Sequence, residues 1–254
     1  LDLCPARARP AIRAFTGATV SGRMSSHTED RLKDFCRLKR RTPASVLLAC
    51  YAILVHRYTA ATTFIIGTPM AGRMAAGAEQ VVGLFANVVP ILMNVSSMTH
   101  IDQLIDQAWE ALLEGMDHQM YPFSAIVQSL GLERDLSREP LVQNIFNYVS
   151  VHSNSLSIPG AEVRPFRTDI FNAKYDFALE FIEDEDGIES LIVYDEKIFD
   201  AAFVRRFNEH FCLLLDQVVD SLANSVGTVC FLGEEERQQL LVDWNQTQAP
   251  FPES

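Results

Sequence analysis

Positive charge is scarce in this 254-residue sequence: 21 Lys and Arg stand against 33 Asp and Glu, a formal net charge of −12. A duplex nucleic-acid binder must replace condensed counterions with a basic surface, and an anionic membrane asks for the same, so neither is expected as a partner. Long apolar runs are missing too. The longest stretch, Ala44 to Val55, is interrupted by Ser45 and stopped by His56 and Arg57, well short of the ~20 residues that cross a bilayer. It reads as a buried helix. The five cysteines, Cys4, Cys36, Cys50, Cys212 and Cys230, include no CxxC pair, and an odd number cannot all pair within one chain. They read as reduced structural thiols, which points to the cytoplasm.

Catalytic signatures are equally sparse. There is no GxSxG elbow, HExxH pair, Walker loop or GxGxxG turn. The histidines His27, His56, His100, His118, His152 and His210 are scattered, without a second ligand at metal-binding spacing, so no metal is expected. His56, at the end of the apolar stretch, reads as a hydrogen-bonded helix-end residue. The acidic run Glu183 to Asp186 lacks the spaced ligands of a calcium loop and reads as a solvated hairpin tip. Residue 1 is Leu, and no basic-then-apolar leader follows; the chain is expected to be a fragment of a longer protein.

What is present is an ordinary globular composition, with 48% apolar and 21% charged residues. Phe15–Met24 alternates as a strand, and Ser26-His27-Thr28-Glu29 has the capping-box spacing of a helix reaching about Arg40. Thr42-Pro43 opens the next helix, to about Tyr58. Thr63–Thr68 and Ala86–Val95 read as buried strands around a glycine-containing stretch. Thr99 is expected to cap a helix to about Gly115, followed by a shorter one over Phe123–Leu130. Asn144–Val151, Val163–Thr168, Tyr175–Ile182 and Ile188–Tyr194 read as strands, the last two joined by an Asp-Gly hairpin. Asp200 caps a long helix with Phe203, Phe207, Phe211, Leu214 and Val218 inward. The order predicts an α/β fold, a mixed β-sheet with helices packed mainly on one face. Residues 1–10, with Pro5 and Pro10, read as a stiff connector, 11–229 as the folded unit, and 230–254 as a second linker with one short helix.

Four segments then carry a resemblance. Gly67–Arg73 reads GTPMAGR, Val82–Asn87 reads VGLFAN, His118–Ser124 reads HQMYPFS and Arg134–Leu141 reads RDLSREPL. In this order they resemble motifs of the condensation domains of nonribosomal peptide synthetases. Leu1–Gly17 is similar to the family's bridge segment, and Leu232–Pro252 to its linker toward an adenylation domain. The family's domain has two lobes of the chloramphenicol acetyltransferase type, with an HHxxxDG motif on the first. Adjacent histidines occur nowhere here, so the chain resembles the C-terminal, acceptor-side lobe, and no catalytic residue is expected within it.

The resemblance implies amide formation between thioesters carried on the phosphopantetheine arms of upstream and downstream carrier proteins, with no cofactor bound directly. It implies an N-terminal lobe and an adenylation domain as partners. Arg73 would pair with the HHxxxDG aspartate across the lobe boundary; Gly83, through close backbone approach, and Asn87 would support the tunnel floor. His118, Gln119, Tyr121, Pro122 and Phe123 are expected to be structural, with His118 capping a helix and Tyr121-Pro122-Phe123 packing under the next one. Arg134, Asp135, Ser137 and Arg138 are expected to form a charged turn. Met120 and Ser124 stand where the family prefers Asp and Glu. Phe146-Asn147-Tyr148 also resembles the FNY of epimerization domains. The rival readings are a partner-recruiting domain of the same fold and part of an epimerization or heterocyclization domain. An unpartnered lobe would expose an apolar face and self-associate.

Overall fold

The structure, a computed structural model, describes residues 3, 7–151, 160–161, 172–220 and 225–247. The strand expected over 163–168 lies outside the described residues.

Strands β1 (Gly17–Arg23), β2 (Thr63–Met70), β3 (Asn87–Asn94), β4 (Asn144–Ser150), β5 (Phe177–Asp184) and β6 (Gly187–Asp195) form one mixed sheet in the order β1-β6-β5-β4-β2-β3. β2 and β5 each run parallel to β4, and the remaining neighbours are antiparallel. Side chains alternate across the pleat. Phe64, Ile66, Val89, Ile91, Phe146, Phe177, Leu179, Phe181, Ile188 and Ile192 are all buried on one face. Their partners in the alternation, such as Ala178, Glu180 and Ile182, are only half-buried on the other.

Helices α1 (Ser26–Lys39), α2 (Pro43–Thr59), α3 (Ile101–Asp117) and α5 (Ala201–Asp220) belong to the apolar face, and α4 (Phe123–Ser129) lies beside β3. Every residue of α2 from Ser45 to Val55 is fully buried, because α1, α3, α5 and the sheet enclose it. Its Tyr51 ring lies between Phe146 and Phe177, with centroids at 6.4 Å from each, and meets Phe207 edge-on at 6.1 Å. Each large apolar side chain buried here contributes about 1.5–3 kcal/mol. The stretch read as a core helix is therefore the centre of the fold, Thr42 capping it through the Ser45 N–H at 3.3 Å and Pro43 filling its first turn.

Two caps differ from expectation. The α1 cap is Ser25, whose Oγ accepts from Thr28 N at 3.1 Å, while Glu29 reaches Lys33 and the Ile188 N–H instead. The α3 cap residue is His100, and Thr99 turns back to Ser96. Ser25 therefore supplies a local side-chain cap one residue earlier than expected, while α3 begins without a side-chain cap bond because the Thr99 hydroxyl is taken by Ser96. The β5–β6 turn places Glu185-Asp186 at its tip and Gly187, at φ +116°, after it.

The terminal segments are less detached than linkers. Leu3 is 2% exposed within the core, Arg7 N donates to Ile198 O at 3.1 Å, and Arg9 pairs with buried Asp176 at 2.5 Å. Beyond 229, Phe231 is buried against Tyr58 and His210, and helix α6 (Glu234–Leu241) follows.

Candidate functional site

The stretch between β2 and β3 leaves the sheet at Met70 and returns at Asn87. Gly72 sits at φ +65°, where a Cβ would overlap the Phe85 carbonyl oxygen, so this position needs glycine twice over. Arg73 follows. Its Nη1 donates to the carbonyls of Ala78 and Val81, the latter at 2.9 Å, its Nη2 to Gly83 O at 3.0 Å, and its guanidinium stacks over Phe85 at 4.4 Å. One planar cation thus ties down three carbonyls, which a compact ammonium could not do. Among the described residues Arg73 has no carboxylate partner.

Asn87 and Gln119 fasten this loop to the α3–α4 turn. Asn87 Nδ2 donates to Gln119 O at 3.0 Å and Tyr121 O at 2.7 Å, while its Oδ1 accepts from Phe123 N at 3.1 Å. Gln119, buried, accepts from Gly72 N at 3.1 Å and donates to Met116 O at 2.9 Å. The GTPMAGR, VGLFAN and HQMYPF segments are therefore one hydrogen-bonded knot. Asn87 holds a loop as expected. Gly83 does not provide the close backbone approach expected of it: a Cβ there meets only a Phe85 ring carbon at an ordinary 3.6 Å, and the close approach occurs at Gly72.

His118 is the α3 C-cap residue. Its backbone N–H bonds to Glu114 O and its Nδ1 lies 2.9 Å from the same carbonyl. Tyr121 and Pro122 are exposed and do not pack under α4; only Phe123 is half-buried. Pro122 instead supplies the extended residue that precedes the helix. A cavity of about 440 Å³ opens between edge strand β3, Glu114 and His118 of α3, Tyr121 and Ile126. Around the knot, Met74, Val82, Leu84 and Met120 stand exposed, more apolar surface than a solvated loop needs.

The RDLSREPL segment forms the expected charged turn, with one exception. Asp135 Oδ1 accepts from Ser137 N at 2.8 Å and Arg138 Nε lies 3.0 Å from Oδ2; the Ser137 bonds hold the Asp135 carboxyl below the usual range. Arg134 is exposed and has no polar partner among the described residues. The turn is also the seat of a clamp that sequence reasoning missed. Arg9 donates to Ser137 O at 3.2 Å, and Arg13 donates to Glu139 Oε1 at 3.1 Å and Ala173 O at 3.0 Å. Pairs more than a hundred residues apart leave no local signal.

A second missed feature is a part-buried hydrogen-bonded chain centred on buried His210. Tyr58 Oη lies 2.6 Å from His210 Nδ1, and His210 Nε2 lies 2.6 Å from Glu236 Oε2 on α6. His210 occupies the inward stripe of α5 with Phe203, Phe207 and Leu214, and that spacing was the available signal. His56, as expected, is a helix-end residue, its Nδ1 2.8 Å from Ala61 O. The described cysteines Cys36, Cys50, Cys212 and Cys230 are free thiols, and burial pushes the Cys36 thiol up to about 12. Among the described residues no cluster could hold a metal, and no helix is long and apolar enough to cross a membrane.

Comparison with known proteins gives a consistent result. The family model described as "Condensation domain" matches residues 1–241. Tyrocidine synthase 3 of Brevibacillus parabrevis is 33% identical over 244 residues, 96% of this chain and 4% of that protein. Surfactin synthase subunit 1 of Bacillus subtilis (strain 168) is 29% identical over 244 residues, 96% of this chain and 7% of that protein. The chain thus spans a small part of these relatives. Among solved structures, holo-AB3403, a four-domain nonribosomal peptide synthetase bound to AMP and glycine, superposes with TM-score 0.83 at 19% identity, covering 92% of this chain and 19% of that one. The condensation domain of the monacolin K polyketide synthase MokA gives 0.79 at 21%, covering 87% of this chain and 51% of that one. The X-domain in complex with OxyB from teicoplanin biosynthesis gives 0.81 at 24%, covering 91% and 51%. These likenesses place the fold among the condensation-domain structures, of the chloramphenicol acetyltransferase type.

Proposed function

Because the chain belongs to the condensation-domain family, we propose that it is the C-terminal, acceptor-side lobe of a peptide-bond-forming domain in a nonribosomal peptide synthetase. The observation that carries this reading is the knot: three separated segments converge through Arg73, Asn87 and Gln119 on one loop with an apolar, exposed tip. A loop held this firmly and left this apolar suits a wall that closes against a second lobe.

In the proposed reaction the amine of an aminoacyl thioester on a downstream carrier protein attacks the thioester carbonyl of an upstream donor. The C–N bond forms, the donor C–S bond breaks, and the thiol of the donor phosphopantetheine leaves with a proton. Amine and thioester are intrinsically reactive, so orientation supplies much of the rate. This lobe contributes tunnel wall and docking surface. The base or positioning group is the histidine of an HHxxxDG motif on the N-terminal lobe, so the isolated chain is inactive. The carrier arms bring the substrates, no other cofactor is needed, and an adenylation domain follows in a cytoplasmic assembly.

Arg73 keeps a role across the lobe boundary. Nη1 is engaged twice and Nη2 once, which leaves Nε–H and one Nη2–H for the aspartate of that motif. The partner-recruiting alternative draws support from the likeness to the X-domain, whose solved complex contains OxyB. The test supplies donor- and acceptor-loaded carriers to the two-lobed protein and weighs the acceptor carrier. A mass gain equal to the donor acyl group is expected. An unchanged acceptor, or inversion of the donor α-carbon instead, contradicts the reading.

A further inference from the structure

Glu180 is a carboxylate on the wrong kind of surface. It lies in the middle of β5 between Leu179 and Phe181, both buried under the helices, so alternation turns Glu180 onto the opposite face of the sheet, which no helix covers among the described residues. There it is half-buried. Its lateral neighbours are Leu191 on β6 and Asn147 on β4. Along its own strand it is flanked on that face by Ala178 and Ile182. Among the described residues neither Glu180 nor Asn147 has a side-chain hydrogen-bond or ion-pair partner, and removal from water alone pushes the Glu180 carboxyl up from its ordinary range. A half-buried carboxylate without a cation costs stability and calls for an explanation other than folding.

The position of the pair supplies one. Gly67 pairs with Ile145 in parallel register; Asn147 is two residues beyond Ile145 on β4 and Pro69 two beyond Gly67 on β2, on the same face, and Pro69 faces Val88 across the β2–β3 ladder. Ser21, Leu191, Glu180 and Asn147 are thus neighbours in one row across this face, and Pro69 and Val88 carry it toward the base of the loop held by Arg73 and Asn87. Beside Glu180 and Asn147 the side chains of Leu191, Ala178, Ile182, Pro69 and Val88 are apolar, a floor along which an acyl chain can lie, with one anionic and one amide group set into it.

We propose that Glu180, with Asn147 beside it, is the subsite that receives the amine of the acceptor aminoacyl group: the carboxylate accepts hydrogen bonds from the ammonium or amine, Asn147 supplies a neutral polar neighbour, and the apolar row carries the rest of the chain. The occupant is argued from charge complementarity: among the described residues Glu180 is an anion without an ion-pair partner, flanked by Ala178, Ile182 and Leu191, whereas Asp184 further along the same face pairs with Arg23, so Glu180 is left to select a small cationic head group. Glu180 is a positioning residue; the ammonium gives its proton to the histidine of the proposed N-terminal lobe before the free amine attacks the donor thioester. This inference rests on the proposed amide-forming function.

The test compares wild type, Glu180→Gln, Glu180→Asp and Asn147→Ala in the two-lobed protein. The acceptor carrier is loaded with each proteinogenic amino acid in turn, and donor and acceptor carriers are varied independently. Glu180→Gln is expected to lower kcat/KM for the acceptor by about tenfold or more while the donor KM stays within about twofold. Glu180→Asp recovers part of the loss, and Asn147→Ala shows a smaller acceptor-specific loss. Thermal stability of Glu180→Gln should equal or exceed wild type, because the buried charge is gone. An acceptor kcat/KM within about twofold of wild type, or equal losses on both substrates with a lowered melting temperature, overturns the proposal. Wild type forming no amide with any acceptor overturns the function itself and this subsite with it.

Discussion

Gly72 and Arg73 carry the site at the scale of single residues. Gly72→Ala places a Cβ at φ +65° against the Phe85 carbonyl, and is expected to cost more than about 2 kcal/mol; Gly83→Ala, in open surroundings, is expected to change stability by under about 0.5 kcal/mol. Chemical denaturation of the two variants checks the contrast. Arg73→Ala removes three carbonyl bonds and the Phe85 stack and should abolish condensation in the two-lobed enzyme, while hydrogen exchange over 72–87 rises. Arg73→Lys should rescue little, since a single ammonium cannot reproduce the planar fork. Amide formation by Arg73→Ala at the wild-type rate contradicts the role given to it. Much of this was legible in the sequence: Arg73, Asn87 and Gln119 stand in quotable motifs. The steric demand at Gly72 was not, because it depends on where the Phe85 carbonyl returns in space.

Among the elements, the helices were read nearly to the residue, α2 from a continuous apolar run that is buried all round and α5 from the apolar stripe that it buries. Their caps were not, because adjacent Ser25 and Ser26 have the same chemistry and only the backbone geometry shows which one caps, and because the Thr99 hydroxyl bonds Ser96 and leaves α3 without a side-chain cap. The tie between α5 and α6 rests on His210 and Glu236. Glu236→Gln should weaken it, so limited proteolysis is expected to cut within 234–241 sooner, with the rest of the chain intact; unchanged cleavage would show that the segment is held without this bond, by Phe231 and the Gln217–Cys230 bonds. The β4–β5 ladder carries a pH signature. The Tyr148 hydroxyl, donating at 2.6 Å, holds the Glu183 carboxyl below its ordinary range. That contribution is complete above the unfolded glutamate value and is lost as pH falls through the lower folded one. Tyr148→Phe should therefore flatten the acid side of a melting-temperature profile measured against pH, leaving the neutral side parallel to wild type.

For the whole molecule, the sheet, its helices and the order of motifs follow from sequence, whereas the clamps Arg9–Asp176 and Arg13–Glu139 join loop segments far apart in the chain and the Glu180–Asn147 pair comes from the register of β4 and β5, to all of which local pattern is blind. The exposed Met74, Val82, Leu84 and Met120 predict concentration-dependent self-association of the chain alone, removed by Val82→Asp with Leu84→Asp; sedimentation showing a monomer throughout for wild type would count against an open inter-lobe wall. The central claim is that this chain shapes a condensation site without supplying its proton-handling group. The most direct measurement presents both loaded carriers to the chain alone and to the chain joined to an HHxxxDG lobe, and follows the acceptor by mass. The account predicts peptidyl product only in the joined protein; product from the chain alone would contradict it.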